Sequence, residues 1–274
     1  KKNKSIYVFT SHTPNIPTTG MLKGINKPVR FLKSINTYFL RSAIIEADHV
    51  VAFSKFSGDL IIKGVGDTCA NKLKIIPPGV ESSWFKVERK PSSNSELLYW
   101  GRLEDEKGLP ELFHALEVVS KVIKDINLTI VGEGNRLMDY KSLVADLSLT
   151  DQVQFMGWLS SSKIQSLSAQ SSLGLFPSRV ESFGLSVVEA MAAGLPVIAA
   201  SGGALQENVE KGVTGTLVPV NNAGALAKAI ISTLENSKHT ESMARDAKKL
   251  VQHKFNWDEA ANKMVDLYSF SNGM

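Results

Sequence analysis

Short apolar runs rich in β-branched and aromatic residues recur along the chain, alternating with stretches in which apolar residues return every three or four positions. That alternation is the habit of a parallel α/β fold. Up to Pro77 the strand-like runs are residues 6–9, 49–53 and 73–76; six more follow at 96–100, 127–131, 153–156, 172–176, 196–200 and 215–218. Between the first two of those six, Leu109, Leu112, Phe113, Leu116, Val119 and Ile123 keep an i, i+3, i+4, i+7 spacing, which predicts a helix with one face on the sheet. Six strands are a full complement for a doubly wound sheet and three are half of one. The pattern therefore predicts a complete Rossmann-like part preceded by a partial one.

Composition adds few constraints. A chain of 274 residues with 43% apolar and 21% charged content is globular and long enough for one large or two modest cores. One cysteine, Cys69, excludes an intramolecular disulfide framework, and the five histidines show no zinc-site spacing, so a reducing, cytoplasmic compartment is expected. The longest apolar candidate, residues 185–200, is interrupted by Glu189 and Pro196, too early for a membrane span. The chain opens on Lys1 with no signal-peptide pattern, and its start reads as a cut.

Charge is uneven. Residues 1–60 hold nine basic side chains against three acidic ones, and residues 21–39 interleave Lys and Arg with Leu, Val, Ile and Phe as interfacial helices do. Peripheral contact with an anionic membrane through residues 1–60 is one expectation, and a solvated basic helix face is the other. Nucleic acid is not expected as a partner.

Chemistry in a doubly wound sheet belongs at the carboxyl ends of the strands, and four of those ends are unusual. The run 96–100 leads into Gly101-Arg102-Leu103-Glu104-Asp105-Glu106-Lys107-Gly108, two cations five residues apart on one loop. They suit a diphosphate clamp, or they neutralise the three acids between them on a solvated turn. The run 127–131 ends in Gly132-Glu133-Gly134, but Leu137 stands where a dinucleotide fingerprint needs its third glycine. The run 153–156 exits through Gly157-Trp158-Leu159, an apolar loop able to hold a flat base through its backbone, or simply to pack. The fourth end carries Glu181-Ser182-Phe183-Gly184-Leu185 and, eight residues after Glu181, Glu189. These two are candidate ligand carboxylates, solvated helix-terminal acids, or a hydrolase pair. No ATPase phosphate loop, hydrolase nucleophile elbow or Asp-x-Asp metal motif occurs.

The E-x7-E spacing of Glu181 and Glu189, with Arg102 and Lys107 on the earlier loop, resembles the large family of retaining GT-B glycosyltransferases (family 4, "glycosyl transferases group 1") that includes sucrose-phosphate and phosphatidylinositol mannosyl enzymes. Further similarity lies in Ala47-Asp48-His49-Val50-Val51-Ala52-Phe53-Ser54 and in Ile76-Pro77-Pro78-Gly79-Val80, where Glu81 replaces the more usual aspartate. Phe255-Asn256-Trp257 and the amphipathic run after it resemble the family's terminal helix, which crosses back to the N-domain. The resemblance implies an incomplete acceptor-side domain over residues 1–79, a donor-binding Rossmann-like domain over 80–254 and the crossing helix over 255–274. The family's first strands and glycine-rich loop have no counterpart, which puts acceptor recognition in doubt.

Carried onto this sequence, the family implies a nucleotide-diphosphate sugar (UDP-, GDP- or ADP-sugar) as donor, no metal and no cofactor, and a glycan, polysaccharide or lipid-linked acceptor. It implies Arg102 and Lys107 on the diphosphate, Gly184 and Leu185 amides on phosphate, and Glu181 and Phe183 facing the sugar. Glu189 would sit on the ribose, the backbone near Leu159 on the base, and His12 beside the transferred sugar, although an ordinary loop histidine is the plain alternative for His12. Transfer with retention is the expected reaction. A donor-binding fragment without turnover, or another GT-B enzyme such as a nucleotide-sugar epimerase, are the competing expectations.

Overall fold

The structure, a computed structural model, describes residues 6–11, 38–91 and 95–269. The described residues form two compact units, one within Lys1–Gly79 and Trp257–Met274, the other over Val80–Asn256.

The first unit has a three-stranded parallel sheet of β1 (Val8–Ser11), β2 (His49–Ala52) and β3 (Leu73–Ile75), in that order. A helix over residues 38–46, α1, and α2 (Lys55–Val65) precede and follow β2. The period-2 alternation of β2 sends Val50 and Ala52 to one face, where they pack with Ile44, Ala47, Ile61 and Cys69. Val51 goes to the other face, where it meets Ile76, Ala260 and Leu267. The last two lie on the terminal helix, α11 (Trp257–Ser269), so both faces of this small parallel sheet are covered, as parallel strands require.

The second unit runs α3 (Ser82–Phe85), β4 (Glu96–Trp100), α4 (Leu109–Val122), β5 (Asn127–Val131), α5 (Leu137–Asp146), β6 (Val153–Phe155), α6 (Ser161–Gln170), β7 (Leu173–Phe176), α7 (Leu185–Ala193), β8 (Val197–Ala200), α8 (Leu205–Asn208), β9 (Thr216–Val218), α9 (Ala223–Glu235) and α10 (Ser237–Lys254). The chain then enters α11 (Trp257–Ser269). All six strands are parallel, in the order β6-β5-β4-β7-β8-β9. The chain builds outward from β4 to β6, then returns to start again at β7 on the other side of β4. A crevice opens at that reversal, outside the carboxyl ends of β4 and β7.

Every residue of β7 and β8 is buried, which explains why these strands read as unbroken apolar runs. Leu109, Leu112, Phe113, Leu116 and Val119 of α4 are all fully buried, against the sheet and α9. Helix α7 is buried on nearly every side, and its Ala190, Ala192 and Ala193 let it lie close between the sheet and α10.

Among the described residues, no helix is long and apolar enough to cross a membrane. Of the basic, apolar stretch 21–39, all but Tyr38 and Phe39 lies outside the described residues, and so does His12.

Candidate active site

The loop after β4 is anchored along its whole length. Gly101 N–H donates to the Val131 carbonyl at 3.0 Å, and Leu103 N–H to the Glu133 carbonyl at 2.8 Å. Two phenols hold the intervening backbone: Tyr99 Oη donates to the Arg102 carbonyl and Tyr140 Oη to the Glu104 carbonyl, each at 3.0 Å. Burial, then the Glu181 charge, pushes Tyr99 well above the ordinary phenol range. Burial likewise pushes Tyr140 up to about 12, helped by Asp105. Both therefore stay neutral donors at any physiological pH.

The same loop is tied to the one after β7. Arg179 N–H donates to the Glu106 carbonyl at 2.7 Å, and the Arg179 guanidinium pairs with Glu111 at 2.6 Å. At the centre, Lys107 Nζ donates to Glu181 Oε1 at 2.5 Å, and Ser178 Oγ donates to the same oxygen at 2.9 Å. The Lys107 and Glu181 side chains are 13% and 19% exposed. Arg102 is different, being 66% exposed and paired with Glu106 across one turn at 2.9 Å. Of the two readings open for these cations, local neutralisation describes Arg102, while Lys107 reaches across to the second motif.

Glu181 precedes α7, whose N-cap is Gly184 in the left-handed region (φ 84°, ψ 53°) with no side chain capping the first turn. Val187 N–H donates back to the Gly184 carbonyl at 3.1 Å; the Leu185 and Ser186 amides ahead of it have no helical carbonyl to meet, and the macrodipole favours an anion there. Leu185 opens the helix, half-exposed. Phe183 has turned inward: its ring is 5% exposed and edge-on to Phe255, and its carbonyl accepts from the buried Asn208 amide.

Glu189, half-buried in α7, accepts at Oε2 from the Trp100 indole N–H at 3.0 Å. Burial raises its pKa to about 7, opposed by the Trp100 hydrogen bond and assisted by the charge of Glu81. The neutral form is thus favoured by the fold. Its stabilising contribution is complete below the ordinary carboxylate range and is lost as pH rises through about 7. Wild-type stability is expected to fall by about 1–2 kcal/mol between pH 5 and pH 8, after discounting for partial exposure. Glu189→Gln should remove that fall, which denaturant titration at the two pH values would read.

Beyond the carboxyl ends of β4, β5 and β6 lies a cleft of about 260 Å³ whose lining includes Trp100, Gly101, Arg102, Gly132, Trp158 and Leu159. Arg102 and Leu159 thus share one cavity, while Lys107, Glu181 and Ser178 form one hydrogen-bonded group just before α7. Sequence reasoning passed over Trp100 as part of a strand, Ser178 as a loop serine, and Gly202, whose added Cβ would lie 2.3 Å from the Ser178 carbonyl. The Gly202-Gly203 pair after a strand was a readable signal for the last; Trp100 and Ser178 carried none.

Two parallel α/β units of this kind are the architecture of the GT-B glycosyltransferases. The chain belongs to the family "Glycosyl transferases group 1", whose model matches residues 80–250. It is 31% identical over 228 residues to glycogen synthase of Mycobacterium tuberculosis, covering 81% of this chain and 54% of that one, so it spans about half that relative's length. Among solved structures it resembles sucrose-phosphate synthase from Thermosynechococcus elongatus, with a TM-score of 0.78 and 26% identity over 95% of this chain and 66% of that one. It shares the fold of Anabaena Alr3699/HepE in complex with UDP and glucose, with a TM-score of 0.79 and 23% identity over 94% and 70% of the two chains.

Proposed function

We propose that the chain binds a nucleotide-diphosphate sugar and takes part in moving its sugar to an acceptor hydroxyl with retention of configuration. The observation that carries this reading is the Lys107–Glu181–Ser178 group beside the uncapped first turn of α7. A cation, a carboxylate and unpaired amides converge where a diphosphate and a sugar hydroxyl can be met together.

In this reading Lys107 and Arg102 take up the negative charge that grows on the departing diphosphate, with the amides of Leu185 and its neighbours assisting. The Gly184 turn brings those amides to the phosphate. Glu181 accepts hydrogen bonds from the sugar, and the anomeric carbon passes through an oxocarbenium-like state. Glu189 accepts from the ribose, and the backbone at Leu159 meets the base. Phe183 shapes the loop from within, its ring being buried. His12 is proposed beside the transferred sugar. Two cations and helix amides stand in for a divalent ion, so turnover should persist in chelator.

The acceptor is proposed to be a glycan or lipid-linked precursor, in keeping with a relative named glycogen synthase. Residues 1–60 are proposed to touch an anionic membrane from the cytoplasmic side, which sedimentation with anionic liposomes checks through its dependence on salt. The anomer of the product checks retention.

The direct test is calorimetric titration with UDP, GDP and ADP. One nucleotide is expected to bind, and Arg102→Ala to weaken it by about 1–2 kcal/mol. A folded chain that binds none of the three would remove the reading.

A further inference from the structure

We propose that Trp100 is a positioning residue for Glu189: its indole N–H holds one oxygen of the carboxylate and leaves the other to accept from a donor's ribose hydroxyl. The ribose role rests on the function proposed above; the hold on the carboxylate is independent of it.

The alternation of β4 places its last two residues on opposite faces, and each ends in a polar handle. Tyr99 turns to the α4 side and holds the Arg102 carbonyl. Trp100 turns to the other side and reaches Glu189, 89 residues on in the chain, at 3.0 Å. The last residue of one strand thereby fixes a side chain of the helix that follows its switch-point neighbour.

The indole itself has little freedom. It is 5% exposed, stacked on Trp84 with centroids 5.7 Å apart and planes within 7°, and edge-on to Phe176 at 5.0 Å and 83°. Trp84 is almost wholly buried, and its own Nε1 has no hydrogen-bond partner among the described residues. A tryptophan kept there despite an unsatisfied donor acts as a flat support. An N–H fixed by two rings has one direction, and Glu189 Oε2 lies in it.

Trp100 also lines the cleft that holds Arg102 and Leu159. One face of the site proposed for the base and the anchor of the carboxylate proposed for the ribose are therefore the same side chain. A nucleoside needs those two subsites at a fixed separation, and a rigid bicyclic ring sets it. The charge facing Glu189 is that of Glu81, at the N-cap of α3; Trp84 and Phe176 add none. The donor that opposes burial and Glu81, and so favours the ionised carboxylate, is Trp100.

The test replaces the N–H and keeps the ring. Trp100→Phe, and the chain carrying 3-benzothienylalanine at position 100, which has the indole shape with sulfur in place of N–H, are titrated without nucleotide. The probe is the 13C signal of the Glu189 carboxyl, assigned through Glu189→Gln. The Glu189 midpoint is expected to move to higher pH in both. Affinity for a nucleotide-diphosphate sugar, whose phosphates do not titrate in this range, should fall about fivefold at pH 7 if the midpoint moves up by about one. It should recover at higher pH, and Trp100→Phe should add nothing in the Glu189→Gln background. An unmoved Glu189 midpoint in the benzothienyl protein overturns the proposal. A moved midpoint in a chain that binds no nucleotide-sugar upholds the hold on Glu189 and removes the ribose role and the function it rests on.

Discussion

Lys107→Met is expected to weaken donor binding by about 2–4 kcal/mol and to cost the fold about 2 kcal/mol, whereas Arg102→Ala costs the fold less than about 0.5 kcal/mol. The difference comes from where the two cations stand. Arg102 is two-thirds exposed, and its partner Glu106 is four residues away on the same turn, an arrangement worth little in water. Lys107 and Glu181 are both largely withdrawn from solvent and joined at 2.5 Å. Methionine keeps the packing of the lysine stem but takes the cation from the Glu181 carboxylate and leaves it hydrogen-bonded to the neutral Ser178 hydroxyl. An under-paired carboxylate in that setting loses most of what the pair contributed. Under the proposed function the substitution also removes a charge from the diphosphate site and the anchor of the sugar-facing carboxylate. Adding Glu181→Gln should return part of the lost stability and none of the affinity, because the amide removes the stranded charge without restoring the cation. Denaturant midpoints and titration calorimetry read the two quantities separately. Equal stability losses for Lys107→Met and Arg102→Ala would show that burial does not set the ranking.

Gly108→Ala is expected to destabilise the second unit by about 2–5 kcal/mol and to lower donor affinity with it. Gly108 caps α4 in the left-handed region (φ 67°, ψ 26°), which alone costs an L-residue about 1–2 kcal/mol. The added Cβ would also lie 2.1 Å from the Pro177 carbonyl. That neighbour is backbone, so no rotamer relieves the overlap; the loops after β4 and β7 must part. They are the loops that Arg179 N–H to Glu106 O and Lys107 to Glu181 hold together. Gly194→Ala is the matched control, since Gly194 is also left-handed (φ 75°, ψ 18°) and its added Cβ would meet only side-chain carbons at 3.7 and 3.8 Å. Thermal unfolding should show the control losing only the backbone term. Similar losses at both sites would assign the whole effect to backbone strain.

The strands of the second unit were legible almost to the residue, most clearly the central β4, β7 and β8, because strands buried on both faces have to be apolar nearly throughout and end where glycine or polar residues begin. The first strand was less so. The apolar run 6–9 suggested an earlier start than β1 at Val8. Tyr7 instead exchanges bonds with Asp48, its N–H going to the Asp48 carboxylate and its carbonyl accepting the Asp48 N–H. Ladder pairing therefore begins one residue on, at Val8 with His49. In the candidate site, Arg102, Lys107, Glu181 and Glu189 were visible as charges at strand ends and helix starts. Phe183 was visible but its direction was not, because the ring it packs against, Phe255, is 72 positions away and only the fold brings it near. Trp100 reads in sequence as the last apolar residue of a strand, and nothing local says that its N–H has a carboxylate to meet.

The elements, their order, the parallel sheet and the residue types offered at each strand end are properties of the sequence, since each follows from periodicity, apolar runs and turn residues within a dozen positions. Which of those ends meet was settled by the reversal of strand order between β4 and β7. A pair such as Arg102–Glu106 forms on any such turn, because its partners are neighbours along the chain. Lys107–Glu181 and Trp100–Glu189 span 74 and 89 residues, and they exist because adjacent parallel strands deliver their loops to the same edge of the sheet.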